Sequence, residues 1–379
     1  MARRPKLLYL VTEDWYFVSH RLPLAIAAKA AGFDVSVATR VQDHGDAIRN
    51  AGLNLIPISL SRSGLHPIRE FRSIAGLAKL IRGVSPDLLH NVAMKPVAYG
   101  TLAARFHGPK AVVNALMGMG WAFSSDSAKA QMLRPLIKVA LRTALSGVDT
   151  RVIVQNRDDA TLLTDLRLAR PEAIRLIRGS GVNPNAYSTQ APPPGPPLVI
   201  LPARLIAPKG IFEFMQAAAL LKAEGIDARF ALVGAPDAAN PAVVTREVIE
   251  PYTRAGQVEY WGWREDMAHV LSMANIVCLP TFYGEGLPKS LLEAAASARA
   301  IVATDVPGCR EIVRHGENGW LVPPRNASEL ASALREAITQ PELCTQYGAA
   351  GRLMVEREFS LEHVIKQTLD TYRELVEQA

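Results

Sequence analysis

Short, nearly unbroken apolar runs recur along the chain, separated by longer stretches whose apolar residues return every three or four positions. Up to residue 155 the runs are 7-LLYLV-11, 35-VSVA-38, 53-LNLIPI-58, 87-DLLHNVA-93, 111-AVVNALM-117 and 151-RVIVQ-155. Beyond residue 197 they are 198-LVILPA-203, 229-RFALVG-234, 257-QVEYWG-262, 275-NIVCLP-280, 300-AIVATD-305 and 319-GWLVPP-324. A strand with one wet face alternates apolar and polar residues, so a run that is apolar throughout reads as a strand covered on both faces. With helical stretches between them, these runs predict βαβ units and hence parallel sheets. The pattern breaks at 191-APPPGPP-197, a stiff proline-rich connector. The expectation is two doubly wound, Rossmann-like α/β domains, 1–190 and 198–360, joined by 191–197. A helix in 361–379, periodic through 361-LEHVIKQTLDTYRELVE-377, is not assigned firmly to the second domain and is expected to cross back to the first. Ligands of such domains bind at the carboxyl ends of the strands, which makes an interdomain cleft the expected site.

Composition narrows the class. A chain of 379 residues exceeds one comfortable core, and 49% hydrophobic with 21% charged residues is ordinary for a soluble globular protein. Cys278, Cys309 and Cys344 are too widely spaced for a metal or redox motif and read as reduced thiols in a cytosol. The apolar start, Leu7 to Val11, meets Glu13 and Asp14 too soon for a signal peptide. The long charge-free stretch Gly179 to Ala203 is too rich in Pro and Gly to span a membrane. Charge is uneven. Residues 1–190 hold 25 Lys and Arg against 13 Asp and Glu, whereas 191–379 hold 17 against 23, so the halves have different partners or meet each other.

Candidate chemistry concentrates in 284-GEGLPKSLLEAAA-296. Glu285 and Glu293 are eight residues apart, about 80° around a helix, so they do not share a helical face. The strand 275-NIVCLP-280 runs instead into a loop carrying Glu285 and Gly286, and Pro288 starts a helix. Glu293 then lies in the second turn and leans back toward the N-terminus. A helix N-terminus favours an anion such as phosphate, and Gly286 lets backbone approach it closely. Two acids beside it suit the hydroxyls of a sugar; the alternative is a surface loop with an incidental exposed Glu. A second loop, 204-RLIAPKG-210, puts Arg204 and Lys209 after another strand, where paired cations suit a diphosphate.

Through these motifs, R-x4-K-G and E-x7-E, the second half resembles the retaining glycosyltransferases of family 4, which have the GT-B fold. The similarity runs through 281-TFYGEGLPKSLLEAAASARAIVATDVPGCREIV-313 and 316-GENGWLVPP-324. In the first half, 19-SHRLPLA-25, 90-HNVAMKPVAYGTLAAR-105 and 117-MGMGWAF-123 resemble the branch that extends lipid-linked saccharides for capsule, exopolysaccharide or O-antigen. The resemblance implies that Arg204 and Lys209 neutralise the diphosphate of a nucleotide sugar, with UDP the commonest nucleotide. Glu293 would accept from the ribose, and Glu285 would contact the transferred hexose or N-acetylhexosamine beside Gly286, Leu287 and Pro288. Gly234 and 262-GWRED-266, with Gly262 and Arg264, match the base-binding wall. One departure stands out: 12-TEDWYFVSH-20 replaces the Gly-Gly loop that many members use to approach the donor phosphates. A front-face mechanism needs no enzymic nucleophile, only positioning and charge stabilisation. The chain lacks an Asp-x-Asp motif, so no metal cofactor is expected.

Acceptor-side candidates lie in the first half. His20, beside Arg21, reads either as a cleft residue or as a helix cap. Lys95 precedes a helix N-terminus and is suited to an acceptor phosphate, while His90, inside an apolar run, reads as a core histidine. The segment 127-SAKAQMLRPLIKVALRTALSG-147 carries Lys129, Arg134, Lys138 and Arg142 with no acid, and Pro135 should bend it or delay its start. A second basic run is Arg62, Arg69, Arg72, Lys79 and Arg82. Either these helices present a solvated basic face, or they lie on an anionic membrane. The expected partners are a nucleotide sugar, a polyprenyl-diphosphate-linked or other saccharide acceptor and the inner face of the cytoplasmic membrane. Nucleic acid is not among them, because Trp15, Tyr16, Phe17, Trp121 and Phe123 cluster in two loops rather than along a groove. The competing functions are a sugar-nucleotide epimerase, a transferase with a soluble acceptor, and a non-catalytic nucleotide-sugar binder.

Overall fold

A computed structural model describes residues 3–378 except 61–66, 110, 120–122, 124–127, 148, 239 and 283. Arg62, Trp121, part of 117–123 and Tyr283 therefore lie outside the described residues, as do the side chains of Arg69 and Lys129. The chain forms two compact units. One is Met1–Ser180 with Val364–Ala379, the other Gly181–His363.

The first unit is built on seven parallel strands: β1 (Lys6–Glu13), β2 (Asp34–Arg40), β3 (Asn54–Pro57), β4 (Leu88–Val92), β5 (Ala111–Ala115), β6 (Thr150–Val154) and β7 (Ile174–Leu176). Their order is β3-β2-β1-β4-β5-β6-β7. The winding reverses between β1 and β4, which pair in register Tyr9 to His90. Loops after these two strands diverge at that switch point, where doubly wound sheets bind ligands. The helices are α1 (Asp14–His20), α2 (Leu22–Ala30), α3 (Gly45–Asn50), α4 (Pro67–Val84), α5 (Met94–His107), α6 (Ala128–Leu145) and α7 (Arg157–Asp165). Helix α6 runs unbroken through Pro135, so the late start expected there does not occur. Its Leu141, Ala144 and Leu145 anchor it in a core cluster with β6. Among the described residues no helix is long and apolar enough to cross a membrane.

The second unit has six parallel strands: β8 (Leu198–Pro202), β9 (Arg229–Val233), β10 (Glu259–Gly262), β11 (Ile276–Leu279), β12 (Ala300–Thr304) and β13 (Gly319–Val322), ordered β10-β9-β8-β11-β12-β13. Alternate residues feed two cores. Val199, Leu201, Phe230 and Leu232 point into one, and Ile200, Ala231, Val233 and Val277 into the other. Burial on both faces is why these strands read as continuous apolar runs. The helices are α8 (Ile211–Ala223), α9 (Arg246–Arg254), α10 (Met267–Met273), α11 (Lys289–Ala296), α12 (Pro307–Arg310), α13 (Ala327–Thr339) and α14 (Pro341–Glu358), followed by α15 (Leu361–Gln378).

Two features differ from the pattern reading. Strand β7 was not visible in it, being three half-buried residues at a sheet edge. The proline-rich run 191–197, read as the connector, lies inside the second unit. The unit starts earlier because Val182 is buried in its core and exchanges backbone hydrogen bonds with Phe359 and Leu361.

Candidate active site

The switch point of the second sheet falls between β8 and β11, and the two loops carrying the predicted motifs leave these adjacent strands. After β8 the chain makes a single 3-10 turn, Ala207–Lys209, and enters α8 through Gly210 in the left-handed conformation. A Cβ on Gly210 would stand 2.1 Å from the carbonyl oxygen of Pro280, so only glycine lets the two loops approach this closely. Phe282 N donates to Pro208 O at 3.0 Å and stitches them together. From the β13 side, the Arg325 guanidinium lies 4.4 Å over the Phe282 ring.

Lys209 and Glu285 meet here. Nζ lies 2.5 Å from Oε1, and the side chains are only 15% and 13% exposed. Thr281 Oγ1 is 3.1 Å from the same carboxylate oxygen and 2.9 Å from Pro208 O; its single proton serves one of them at a time. Arg204, on the same loop as Lys209, pairs at 2.5 Å with Asp237, which follows β9. Each cation expected to meet a diphosphate thus already holds a carboxylate.

Helix α11 opens with Pro288 as its N-cap rather than its first helical residue, the position expected for it. The Pro288 carbonyl accepts from Leu291 and Leu292, while Pro288 itself stays extended at φ −65°, ψ 115°. Gly286, Leu287 and Pro288 are buried. Glu293, in the second turn, accepts from Tyr187 Oη at 3.0 Å and lies 3.6 Å from Lys289 Nζ. Burial, reinforced by this carboxylate, pushes the Tyr187 hydroxyl far above its ordinary pKa, so it stays a donor. Gly308 packs under the loop: a Cβ there would meet Gly286 O at 2.6 Å and Glu285 O at 2.8 Å. Neighbouring Cys309 is fully buried. Burial first, and Glu285 next, push its thiol upward, so it remains protonated. Gly234, at the end of β9, donates its N–H to Gly262 O at 2.8 Å, joining two predicted base-wall positions. Arg264 is held locally by a two-pronged contact to Asp266 at 2.6 and 2.7 Å.

In the first unit, β1 delivers Glu13 and Asp14 to the switch point. Asp14 is fully buried and accepts from the backbone of Trp15, Gln42 and His44, so it ties the start of α1 to the loop after β2. His20 is the last residue of α1, stacked on Tyr16 at 4.2 Å; it is not an N-cap. Lys95, in the first turn of α5, is bound to Glu70 of α4 at 2.9 Å, both 15% exposed. Burial works against the Glu70 charge, but bonds from Lys95 and Tyr99 hold its carboxyl below its ordinary value. His90 is a core residue. Burial keeps it neutral, with Nδ1 2.5 Å from Tyr372 Oη.

Sequence reading missed Asp237, Tyr187, Thr281 and Gly308. Thr281 and Gly308 stand in the stretch that carried the resemblance, but nothing in their spacing marks their contacts. Asp237 and Tyr187 had no signal at all. Among the described residues no group of three or more His, Cys, Asp or Glu comes together as a metal site.

Two doubly wound units, one with cations and carboxylates at its switch point, form the GT-B architecture, and the comparisons supply the family. The fold matches a sucrose-phosphate synthase from Thermosynechococcus elongatus with a TM-score of 0.83 at 19% identity, over 99% of this chain and 100% of the other. It also matches an Anabaena protein solved with UDP and glucose, with a TM-score of 0.79 at 17% identity, over 97% and 99%. Residues 6–156 match the family model "Glycosyl transferase 4-like", and residues 196–340 match "Glycosyl transferases group 1". The chain belongs to the glycosyltransferases that these two models describe. Among similar sequences is the N,N'-diacetylbacillosaminyl-diphospho-undecaprenol alpha-1,3-N-acetylgalactosaminyltransferase of Campylobacter jejuni, 27% identical over 83% of this chain and 84% of its own. A Bacillus subtilis protein named as a glycosyltransferase is 27% identical over 97% and 96%.

Proposed function

We propose that the chain is a retaining glycosyltransferase that moves a hexose or N-acetylhexosamine from a UDP-sugar to a lipid-linked saccharide in bacterial surface polysaccharide synthesis. The observation that carries this reading is the Lys209–Glu285 pair at the switch point, with Arg204 and Glu293 on the flanking elements. The name of the Campylobacter relative, an enzyme of a diphospho-undecaprenol acceptor, and the UDP in the Anabaena structure support the choice of acceptor and donor.

In this reading the donor diphosphate exchanges for the carboxylates on Arg204 and Lys209. Glu285, released from Lys209, turns to the hydroxyls of the sugar, and Glu293 accepts from the ribose. Breaking the C1–phosphate bond places negative charge on the diphosphate, and the two cations stabilise it without a metal cofactor. The acceptor hydroxyl attacks C1 from the same face and gives its proton to the departing diphosphate. In the first unit, His20 and Lys95 would meet the acceptor, whose phosphate competes with Glu70 for Lys95.

Arg204→Ala, Lys209→Ala and Glu285→Ala are each expected to lower turnover about 10²–10³-fold in a membrane-extract transfer assay. Near-normal transfer by the Arg204 or Lys209 variant would overturn the diphosphate assignment. The anomeric configuration of the product, read by NMR, decides retention.

Membrane association rests on α4 and α6, which both pack on α5. Phe71 on α4 and Met132, Leu136 and Val139 on α6 are 65–75% exposed, beside Arg72, Arg134, Lys138 and Arg142. Apolar side chains edged by cations suit the headgroup boundary of an anionic leaflet. Flotation with anionic liposomes at low salt is expected. Absence of flotation at both low and high salt would defeat this part of the reading.

A further inference from the structure

At the opposite, amino ends of the second unit's strands lies a cavity of about 740 Å³. It is bounded by residues 189–192, the start of β11, the turn before β12, and helices α13 and α14. Most of its wall is apolar, including Pro192, Ile276, Ile338 and Leu353. Its volume is in the range of small-molecule sites.

The charge in this wall is not balanced. Arg299 is 4% exposed. Its Nη2 donates to the carbonyl of Gln190 at 2.5 Å, while Nε is buried with no hydrogen-bond partner. Burial pushes the guanidinium pKa down, and no carboxylate opposes the shift. The other cation in the wall, Arg352, already has partners: Nη1 donates to Ala296 O and Pro184 O, and Nε holds Glu356 at 2.6 Å. Glu356 is the sole carboxylate among the described lining residues, and that contact commits it to Arg352. Arg299 therefore places a buried positive charge, with Nε closed off from solvent and no acid beside it, in the wall of a largely apolar space. Such a charge is strongly unfavourable until an anion meets it.

We propose that this cavity is a second ligand site, which takes a small amphipathic oxyanion, a carboxylate or phosphate on an apolar body, with its headgroup on Arg299. The site is separate from the donor residues. Helix α11, eight residues and about 12 Å long, starts beside Glu285 and ends at Ala296, just before Arg299. The inference does not depend on the donor assignment.

The test is calorimetric titration of the full chain with hexanoate, hexyl phosphate and hexanol. Saturable binding of at least one anion is expected, with hexanol at least about tenfold weaker. The tighter anion identifies the headgroup. Arg299→Met should weaken the anion about tenfold or more. Should that variant fail to fold, Ala349→Trp decides, because it fills the cavity from its exposed rim and leaves the Arg299 side chain unaltered in sequence. Saturating UDP should leave the titration unchanged. No saturable anion binding, equal binding of hexanol, undiminished binding by Ala349→Trp, or competition by UDP would each overturn the proposal. Loss of transfer in the Arg204 variant with hexanoate binding intact would separate the two sites.

Discussion

At the scale of single residues, the acids and cations at the second unit's switch point neutralise one another. Tyr187 is the simplest probe of that arrangement, because its hydroxyl fixes one Glu293 oxygen at 3.0 Å. Tyr187→Phe removes the bond but keeps the ring. The Michaelis constant for the donor is expected to rise about tenfold or more, one hydrogen bond to a charged group, with turnover little changed. A fall in turnover with an unchanged Michaelis constant would contradict a ribose role for Glu293. Asp159 offers a stability test. Asn156 caps α7 by accepting from Asp159 N and donates its amide to Asp159 Oδ2. Burial nevertheless raises the Asp159 carboxyl from an ordinary 3.8 to about 6. The folded protein thus holds this proton more tightly than the unfolded chain. That stabilisation is complete below about pH 4 and is lost as pH rises through 6, amounting to about 3 kcal/mol. Asp159→Asn should abolish this component, read by denaturant unfolding of both proteins at pH 4.5 and 7. Identical pH dependence in the two proteins would rule it out.

At the scale of elements, the loop carrying Glu285 is shaped from beneath as much as from its own sequence. The loop 284–288 rests on α12, and Gly308 leaves no room for a side chain under Gly286. Gly308→Ala is expected to push Glu285 out of line, lower turnover by on the order of tenfold to a hundredfold and destabilise the second unit by about 1–3 kcal/mol. Unaltered kinetics would show that the loop yields freely. Helix α6 shows how far periodicity could be trusted. Its four-residue cation spacing was legible, and Ile137 and Leu141 do face the core. Met132, Leu136 and Val139 do not, and that distinction came only from the packing against α5. Replacing those three residues with Ser should therefore release the protein from liposomes while leaving its melting temperature nearly unchanged, since no core is disturbed.

At the scale of the whole molecule, the last helix completes the first unit. From Val364 onward α15 belongs to that unit, and Val364, Leu369, Tyr372 and Leu375 enter its core. Tyr372 Oη lies 2.9 Å from Tyr9 Oη and 2.5 Å from His90 Nδ1, while Glu374 binds Arg151 and Arg175. Tyr372→Ala should cost the first unit about 3–5 kcal/mol, measured by denaturant unfolding. A smaller loss would mean that the helix is an accessory to the core rather than part of it.

The sequence by itself determined the architecture. Runs such as 198-LVILPA-203 and 300-AIVATD-305 are short and apolar on both alternating faces, and with helical stretches between them they fit strands of sheets covered on both sides. It also showed which charged residues the two loops carry, because R-x4-K-G and E-x7-E are local patterns. The tertiary structure alone decided which groups pair. Arg204 meets Asp237, Lys209 meets Glu285, Tyr187 meets Glu293, and Arg299 is left buried without an acid. The reason is physical. These partners are far apart in sequence, and parallel strand order, which sets β8 between β9 and β11, brings Arg204 to Asp237 and Lys209 to Glu285 whatever their separation along the chain.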